Sequence, residues 1–294
     1  PAPGHEFPEH VLEQPGALRV ESDHRLVHDD QLGAMDQRSA DGAKGVLRDI
    51  DRRAAGRQVP FLFGTAYLRD EIPRVWSRNY LSLERDLESA TAGLVSAEAD
   101  RVLGEAGAAH RKIEVFDAEV GEGLAPGLAE LGWQVECDVV MVAHREPDRK
   151  ADLSVVDEVE PEELEPVWSD ANRSEGHIDD EEVIRELAES KRVLASAIDV
   201  RFFAARADRE IGAYCELYSH AGTGQIENVL TLERFRKRGL ARALVLRALA
   251  ESRAAGNDLT FLLANNGDWP KELYSKLGFD DVGLVYDFLR PPPQ

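Results

Sequence analysis

Cysteine is scarce: the 294 residues hold two, Cys137 and Cys215, one in each half. That excludes a disulfide scaffold and a zinc site built on thiolates, and a reducing, cytoplasmic location is the expectation. No run of about 18 apolar residues occurs, so no membrane-spanning helix is expected. Pro1 to Gly16 are polar and proline-rich, without the cationic start and apolar stretch of a secretory signal. The chain begins without Met, and a processed or trimmed N-terminus is expected. Positive charge is also short. Lys and Arg number 35 against 56 Asp and Glu, a formal net charge of -21. Such a chain repels nucleic acid and anionic membranes while tolerating or attracting cationic small molecules, although excess acid also serves solubility alone. No Gly-x-x-x-x-Gly-Lys-Ser/Thr loop is present, and no Gly-x-Gly-x-x-Gly follows the first strand of either half, which argues against a nucleotide-phosphate binder of either kind.

The length suggests two domains. With 43% hydrophobic residues and a mean hydropathy of -0.37 the chain can bury a core and remain hydrophilic outside. Residues 1–40 carry little periodicity and read as an extension, with a strand-like piece at Ala17–Val20. His24 and His28 stand four apart, but no third ligand supports a metal site. From there the pattern predicts a helix at Ala43–Ala55, strands at Val59–Leu68 and Asn79–Leu83, a helix at Leu94–Ala106 and a strand at Arg111–Phe116. A helix at Gly123–Leu131, despite Pro126, and an apolar strand at Gln134–Ala143 complete the first domain, 41–146. His144–Ala151 is a charged linker.

The second domain, 151–294, predicts a strand at Leu153–Val156 and helices from Pro161 to Asn172 and Asp179 to Ala197. Pro161 sits at the first turn, where its missing N–H does no harm, and acids complement the start of the second helix. Three strands follow at Arg201–Ala207, Ile211–Ser219 and Ile226–Leu232. A long helix at Gly239–Ala255, a strand at Leu259–Ala264, a helix at Pro270–Leu277 and a last strand at Val282–Leu289 close the order β-α-α-β-β-β-α-β-α-β. The halves resemble each other. Leu131-Gly132-Trp133 and Leu277-Gly278-Phe279, 146 residues apart (277 minus 131), each end a helix and open an apolar strand. With the matching element order this points to an internal duplication.

The sharpest local feature is Arg236-Lys237-Arg238-Gly239-Leu240-Ala241, between a predicted strand and a long apolar helix. A helix start offers amides without intrahelical partners and the positive end of the helix dipole, and glycine lets a bulky anion approach. Arg234, Arg236, Lys237, Arg238 and Arg242 make the neighbourhood basic within an acidic chain. Cations at a helix N-terminus oppose the dipole, so a plain surface reading leaves them without a reason.

Arg236-x-x-Gly239-x-Ala241 resembles the Arg/Gln-x-x-Gly-x-Gly/Ala signature of the GNAT superfamily of N-acetyltransferases. Leu273-Tyr274-Ser275-Lys276-Leu277-Gly278-Phe279 resembles that family's Leu-Tyr-x-x-x-Gly-Phe segment. The specific motifs cover about half the chain; over 41–146 the resemblance extends only to element order and the Leu-Gly-Trp end. It implies an α+β protein of two GNAT-like domains, each a mixed twisted sheet flanked by helices, with acetyl-CoA as cosubstrate lying between splayed strands. Pantetheine would pair with the backbone near Val229, Leu230 and Thr231, and the pyrophosphate would sit on the amides from Arg236 through Lys237, Arg238, Gly239 and Leu240 to Ala241. The Leu230 amide would hold the developing oxyanion, and Asn265 or Asn266 would bond the pantetheine arm, an Asn-Gly turn being an equal explanation. An alkyl amine, with a pKa of roughly 10, needs a base. Glu227 is the candidate, balanced against a solvated strand Glu, with Glu216 in reserve. Tyr274 stands at the family's general-acid position.

At the 146-residue offset Tyr274 corresponds to Leu128, and no Arg/Gln-x-x-Gly-x-Gly/Ala joins a strand to a helix between Asn79 and Gly107 (Arg101-x-x-Gly104-x-Ala106 falls at the end of a predicted helix), so the first domain reads as a degenerate GNAT-like partner that walls the acceptor site, an arrangement that resembles tandem GNAT proteins such as mycothiol synthase. The acceptor region implied by the fold, Trp168–Glu182, holds Asp170, Glu175, His177, Asp179 and Asp180, which read either as an acidic pocket or, more simply, as caps and surface. The resulting expectation is an N-acyltransferase acting on a small primary amine in a ternary complex, monomer or homodimer, without nucleic-acid or membrane partners. The rival is a non-catalytic acyl-CoA-binding regulatory module, which would need neither Glu227 nor Tyr274.

Overall fold

The computed structural model describes residues 34–174 and 178–292. Ala17–Val20, His24, His28, Glu175 and His177 lie outside the described residues. The first half runs α1 (Ala34–Ala54), β1 (Arg57–Phe61), β2 (Gly64–Leu68), β3 (Tyr80–Leu83), α2 (Ala92–Glu105), β4 (Arg111–Val115), α3 (Ala118–Glu130) and β5 (Gln134–Ala143). The second runs β6 (Val156–Val159), α4 (Pro161–Ser174), α5 (Glu181–Ala197), β7 (Asp199–Ala207), β8 (Glu210–His220), β9 (Thr223–Thr231), α6 (Leu240–Ala254), β10 (Leu259–Asn265), α7 (Pro270–Lys276) and β11 (Phe279–Arg290). No helix among the described residues is long and apolar enough to cross a membrane.

Three expected elements change. The helix expected from Ala43 begins at Ala34, because the stripe Ala40, Ala43, Val46, Leu47, Ile50 and Ala54 is buried and outweighs the low propensity of Gly42 and Gly45. The single strand expected at Val59–Leu68 is a hairpin broken at Leu62-Phe63, a turn masked by its apolar residues. Gly64 is required there, since a Cβ would lie 1.9 Å from the Ser82 carbonyl oxygen on β3. The strand expected at Leu153–Val156 is a short helical turn, Leu153–Val155, drawn in by the Asp152 carboxylate, which accepts from the Ser154 amide at 2.9 Å; the strand itself starts at Val156.

Among the described residues the two expected sheets are one continuous sheet of eleven strands, ordered β1-β2-β3-β4-β11-β5-β10-β9-β8-β7-β6. The order is nearly palindromic about the β11–β5 pair. Each half's last strand crosses into the other: β11 runs antiparallel to β4, and β5 antiparallel to β10. Both halves place a parallel pair, β3 with β4 and β9 with β10, either side of a long helix. Gly132 and Gly278 end α3 and α7 alike, at φ +81° and +97°. The repeat suggested by Leu-Gly-Trp and Leu-Gly-Phe is therefore visible in the topology.

Strand alternation divides the core. On one face α2 and α3 cover Ile113, Val115, Tyr286 and Phe288, while α6 and α7 cover Met141, Ile226, Leu262 and Phe279. On the other face α1 and α5 cover Val140, Val142, Phe261 and Val285 across the middle of the sheet. That second face carries, at one end, the charged residues described next.

Candidate active site

The site begins where two parallel strands part. β9 pairs with β10 only through Thr223–Gln225 and Leu259–Phe261, and β9 then continues to Thr231 without that partner. The divergence coincides with an irregularity on the other edge. The β8–β9 register shifts between Tyr214 and Glu216, and Asn228 adopts φ +53°, a left-handed conformation Asn tolerates. The open backbone edge of Val229, Leu230 and Thr231 faces a cleft of about 680 Å³, closed by Arg149, Trp269, Leu273 and Tyr274.

The far wall of this cleft is the start of α6. Gly239 precedes the helix at φ +81°, and no side chain caps it. The first amides of α6 thus lack a capping acceptor and lie beside the cleft, an arrangement suited to an anion. Arg236, Lys237, Gly239, Leu240 and Ala241 line the cleft; Arg238 does not. Much of the expected cationic character is used locally. Arg238 pairs with Asp208 at 2.6 Å, Arg234 with Glu210 at 2.9 Å, and the buried Arg242 with Asp148. Arg236 Nε donates to the Thr231 carbonyl at 3.2 Å.

Tyr274 stands on α7, 7% exposed, with its ring 6.4 Å from that of Phe279. Burial, then the nearby Glu227 charge, push its phenol well above the ordinary value, so it stays protonated at neutral pH. Glu227 faces the other way, into a second cavity of about 180 Å³ on the α1/α5 face. Burial raises its carboxyl to about 7; Gln225 Nε2, donating to Glu227 Oε2 at 2.6 Å, opposes the rise and the Glu216 charge adds to it. Glu216 is directly opposite on β8 but fully engaged. It accepts from Lys191 Nζ at 2.6 Å, Tyr218 Oη at 2.6 Å and Asn228 Nδ2 at 3.0 Å. Its role as a reserve base has no free oxygen behind it, and Glu227 alone of the pair lines the cavity.

Asn265 is at the end of β10, where its Oδ1 accepts from the Gly267 amide at 2.9 Å, and it does not line the cleft; the turn is what its side chain serves. Asp180 caps α5 and meets Arg74, while Asp170 contacts Arg173, so these two acids act as a cap and a surface pair. The acidic wall lies elsewhere. Asp51 on α1, Glu114 on β4, Glu136 and Asp138 on β5, and Asp287 on β11 line the Glu227 cavity, with Arg74, Arg78, Lys112 and Lys191 also in the lining. Sequence reasoning missed these residues and Gln225. The available signal was alternation, with charges at Lys112/Glu114 and Glu136/Asp138 inside otherwise apolar strands.

Residues 199–281, from the start of β7 into β11, match the family model described as the acetyltransferase (GNAT) domain. This segment of the chain is a GNAT domain. It contains Glu227, the β9 edge, the α6 start and Tyr274. A functionally unknown conserved protein from Staphylococcus epidermidis ATCC 12228 is similar at 16% identity and TM-score 0.60, over 81% of this chain and 95% of that one. A GCN5-related N-acetyltransferase from Kribbella flavida is similar at 18% identity and TM-score 0.57, over 87% and 96%. Another from Sphaerobacter thermophilus gives 14%, 0.52, 88% and 90%. These likenesses show a shared fold that extends beyond the GNAT domain into the first half. No curated protein matches the sequence.

Proposed function

We propose that the protein transfers an acyl group, acetyl in the simplest case, from acyl-CoA to a small primary amine within a ternary complex. The GNAT domain supports acyl-CoA-dependent acyl transfer in general. The observation that carries the finer reading is the parting of β9 from β10, which leaves one strand edge open between a cleft holding Tyr274 and a cavity holding Glu227. In this reading pantetheine lies along Val229–Thr231, the pyrophosphate meets the amides at the start of α6, and the thioester reaches the splay.

The chemistry balances as follows. The ammonium gives one proton to Glu227, directly or through water, and the free amine attacks the thioester carbonyl. Charge developing on the carbonyl oxygen is held by an amide of β9, that of Leu230. Collapse breaks the C–S bond; the thiolate takes the Tyr274 proton, and the amide nitrogen loses its second proton to restore the phenol. One proton leaves to solvent through Glu227. A carboxyl poised near 7 suits a base at neutral pH, and a phenol held protonated suits the acid.

Calorimetric titration of acetyl-CoA into the wild type and Gly239→Glu tests the cosubstrate. Binding that the variant abolishes is expected, because the new carboxylate and a strained left-handed backbone both oppose a pyrophosphate. An unliganded wild type removes the acyltransferase reading.

A further inference from the structure

The wall opposite Glu227 is an arrangement that a sheet avoids. Glu114 on β4, Asp287 on β11 and Glu136 on β5 are direct register partners, so three carboxyl side chains stand in one row on one face. Like charges directly opposite one another destabilise a sheet. Asp138, two residues along β5, and Asp51 on α1 add to the group. Of the cations that line the cavity, Lys112 Nζ reaches Asp287 at 3.3 Å and Arg78 Nη1 reaches Asp51 at 3.4 Å, while Arg74 and Lys191 pair with Glu182 and Glu216, outside this group. Burial, then the neighbouring Asp287 and Asp51 charges, push the Glu114 carboxyl well above the usual range, as expected where positive charge is short.

A second, independent feature points to a ligand bearing N–H groups. Gln225 lines the same cavity and is 4% exposed. Its amide nitrogen is committed to Glu227, while its amide oxygen is buried without a hydrogen-bond donor among the described residues. An orphaned acceptor beside the base is satisfied by an ammonium or amine donor.

We propose that this cavity is the acceptor site, and that the row Glu114–Asp287–Glu136 binds a second cationic group of the acceptor, so that the protein acts on amines carrying two or more separated positive charges. The inference rests on the acyltransferase reading for the acylated end and extends it to the distal end. β5 lies two strands from β9 and β11 three, at about 4.8 Å per strand, and Glu136 lies six residues (142 minus 136) along β5 from Val142, which is level with Gln225 through Phe261. The two charges are therefore separated by roughly 10–20 Å, the span of a linear polyamine rather than a short diamine. The row draws on both halves: Glu114 and Glu136 come from the first, and Asp287 arrives on the exchanged strand β11.

The test is calorimetric titration of spermine, spermidine and propylamine into the full chain, alongside acetyl-CoA on the same sample. Spermine binding at least tenfold tighter than propylamine is expected, with that preference cut tenfold or more in Glu114→Gln and in Glu136→Gln. Exposed Glu88, which does not line the cavity, provides the control for attraction to an acidic protein; Glu88→Gln is expected to change nothing. Equal affinity for the three amines overturns the proposal, as do absent polyamine binding and a loss shared by Glu88→Gln. The acetyl-CoA titration reports separately on the acyltransferase reading, so failure of one is distinguishable from failure of the other.

Discussion

The two halves repeat one order of elements and part company at the same place. In the first, β3 is four residues long and pairs with β4 over three of them, Leu81–Leu83, so the strands stay together. In the second, β9 is nine residues long and pairs with β10 over only three, leaving an open edge. The following helices differ in kind. Thr91 caps α2 with its own side chain, accepting from the Leu94 amide, whereas Gly239 leaves α6 uncapped. At the 146-residue offset Arg236-Lys237-Arg238-Gly239 corresponds to Ala90-Thr91-Ala92-Gly93, Glu227 to Leu81, and Tyr274 to Leu128. Leu81 and Leu128 are wholly buried in the apolar core. A helix start that satisfies its own amides has nothing to offer an anion, and two leucines can neither take nor give a proton. Under the proposed function, one topology serves as a site or as a scaffold according to whether a strand pair stays zipped.

Stoichiometry separates the two halves most sharply. One acetyl-CoA per chain is expected by calorimetry, falling to none in Gly239→Glu, an affinity loss of at least 100-fold. A second equivalent, or one that survives the substitution, would place a site in the first half.

The next largest effects concern the proton carriers. Tyr274→Phe is expected to lower kcat by about 10²–10³, within the range for a general acid, while acetyl-CoA affinity stays within about threefold. Unchanged turnover removes Tyr274 from the mechanism. For Glu227 the base form is the carboxylate, and burial raises its carboxyl to about 7. Activity is therefore lost as pH falls through about 7, and kcat/KM should show a break there. Glu227→Gln is expected to lower the rate by about 10² or more and to erase the break. A break that persists in that variant belongs to another group.

How much of this was legible in the chain follows from how local each signal is. The α6 start and the Leu-Tyr-x-x-x-Gly-Phe segment are contiguous, and both appear in the expected place around the cleft. Gly132 and Gly278 are single residues doing one conformational job, so the matching ends of α3 and α7 were legible too. The strand exchange was not: nothing local to β5 or β11 says which neighbour each will take. The acidic row was hidden for the same reason, since Glu114, Glu136 and Asp287 meet only through those pairings. The basic cluster misled in the opposite sense, because the acids that quench it, Asp148, Asp208 and Glu210, lie outside the motif.

Stability measurements sharpen the contrast at smaller magnitude. Glu114 has a raised pKa in the folded chain, so its burial costs nothing below the unfolded value and destabilises increasingly as pH rises above it. Glu114→Gln removes that cost together with one opposed charge, and is expected to stabilise by about 0.5–1 kcal/mol at pH 8 with a smaller gain at pH 4. Thermal unfolding at the two pH values checks it; a destabilised variant would mean that the row is held by structure rather than kept for a ligand.

Thr91→Ala is the mirror of this experiment. It opens the capped start of α2, so that the first half loses one of the features separating it from the second. A cap of this kind contributes about 1 kcal/mol, and a stability loss of that size is expected with acetyl-CoA stoichiometry unchanged. The helix start is only one of three differences. β3 remains zipped to β4, and Leu81 and Leu128 remain in the core. If instead the uncapped α2 gained measurable acetyl-CoA binding, the helix start alone would make the site, and the parting of the strands would be a consequence of ligand geometry elsewhere rather than its cause.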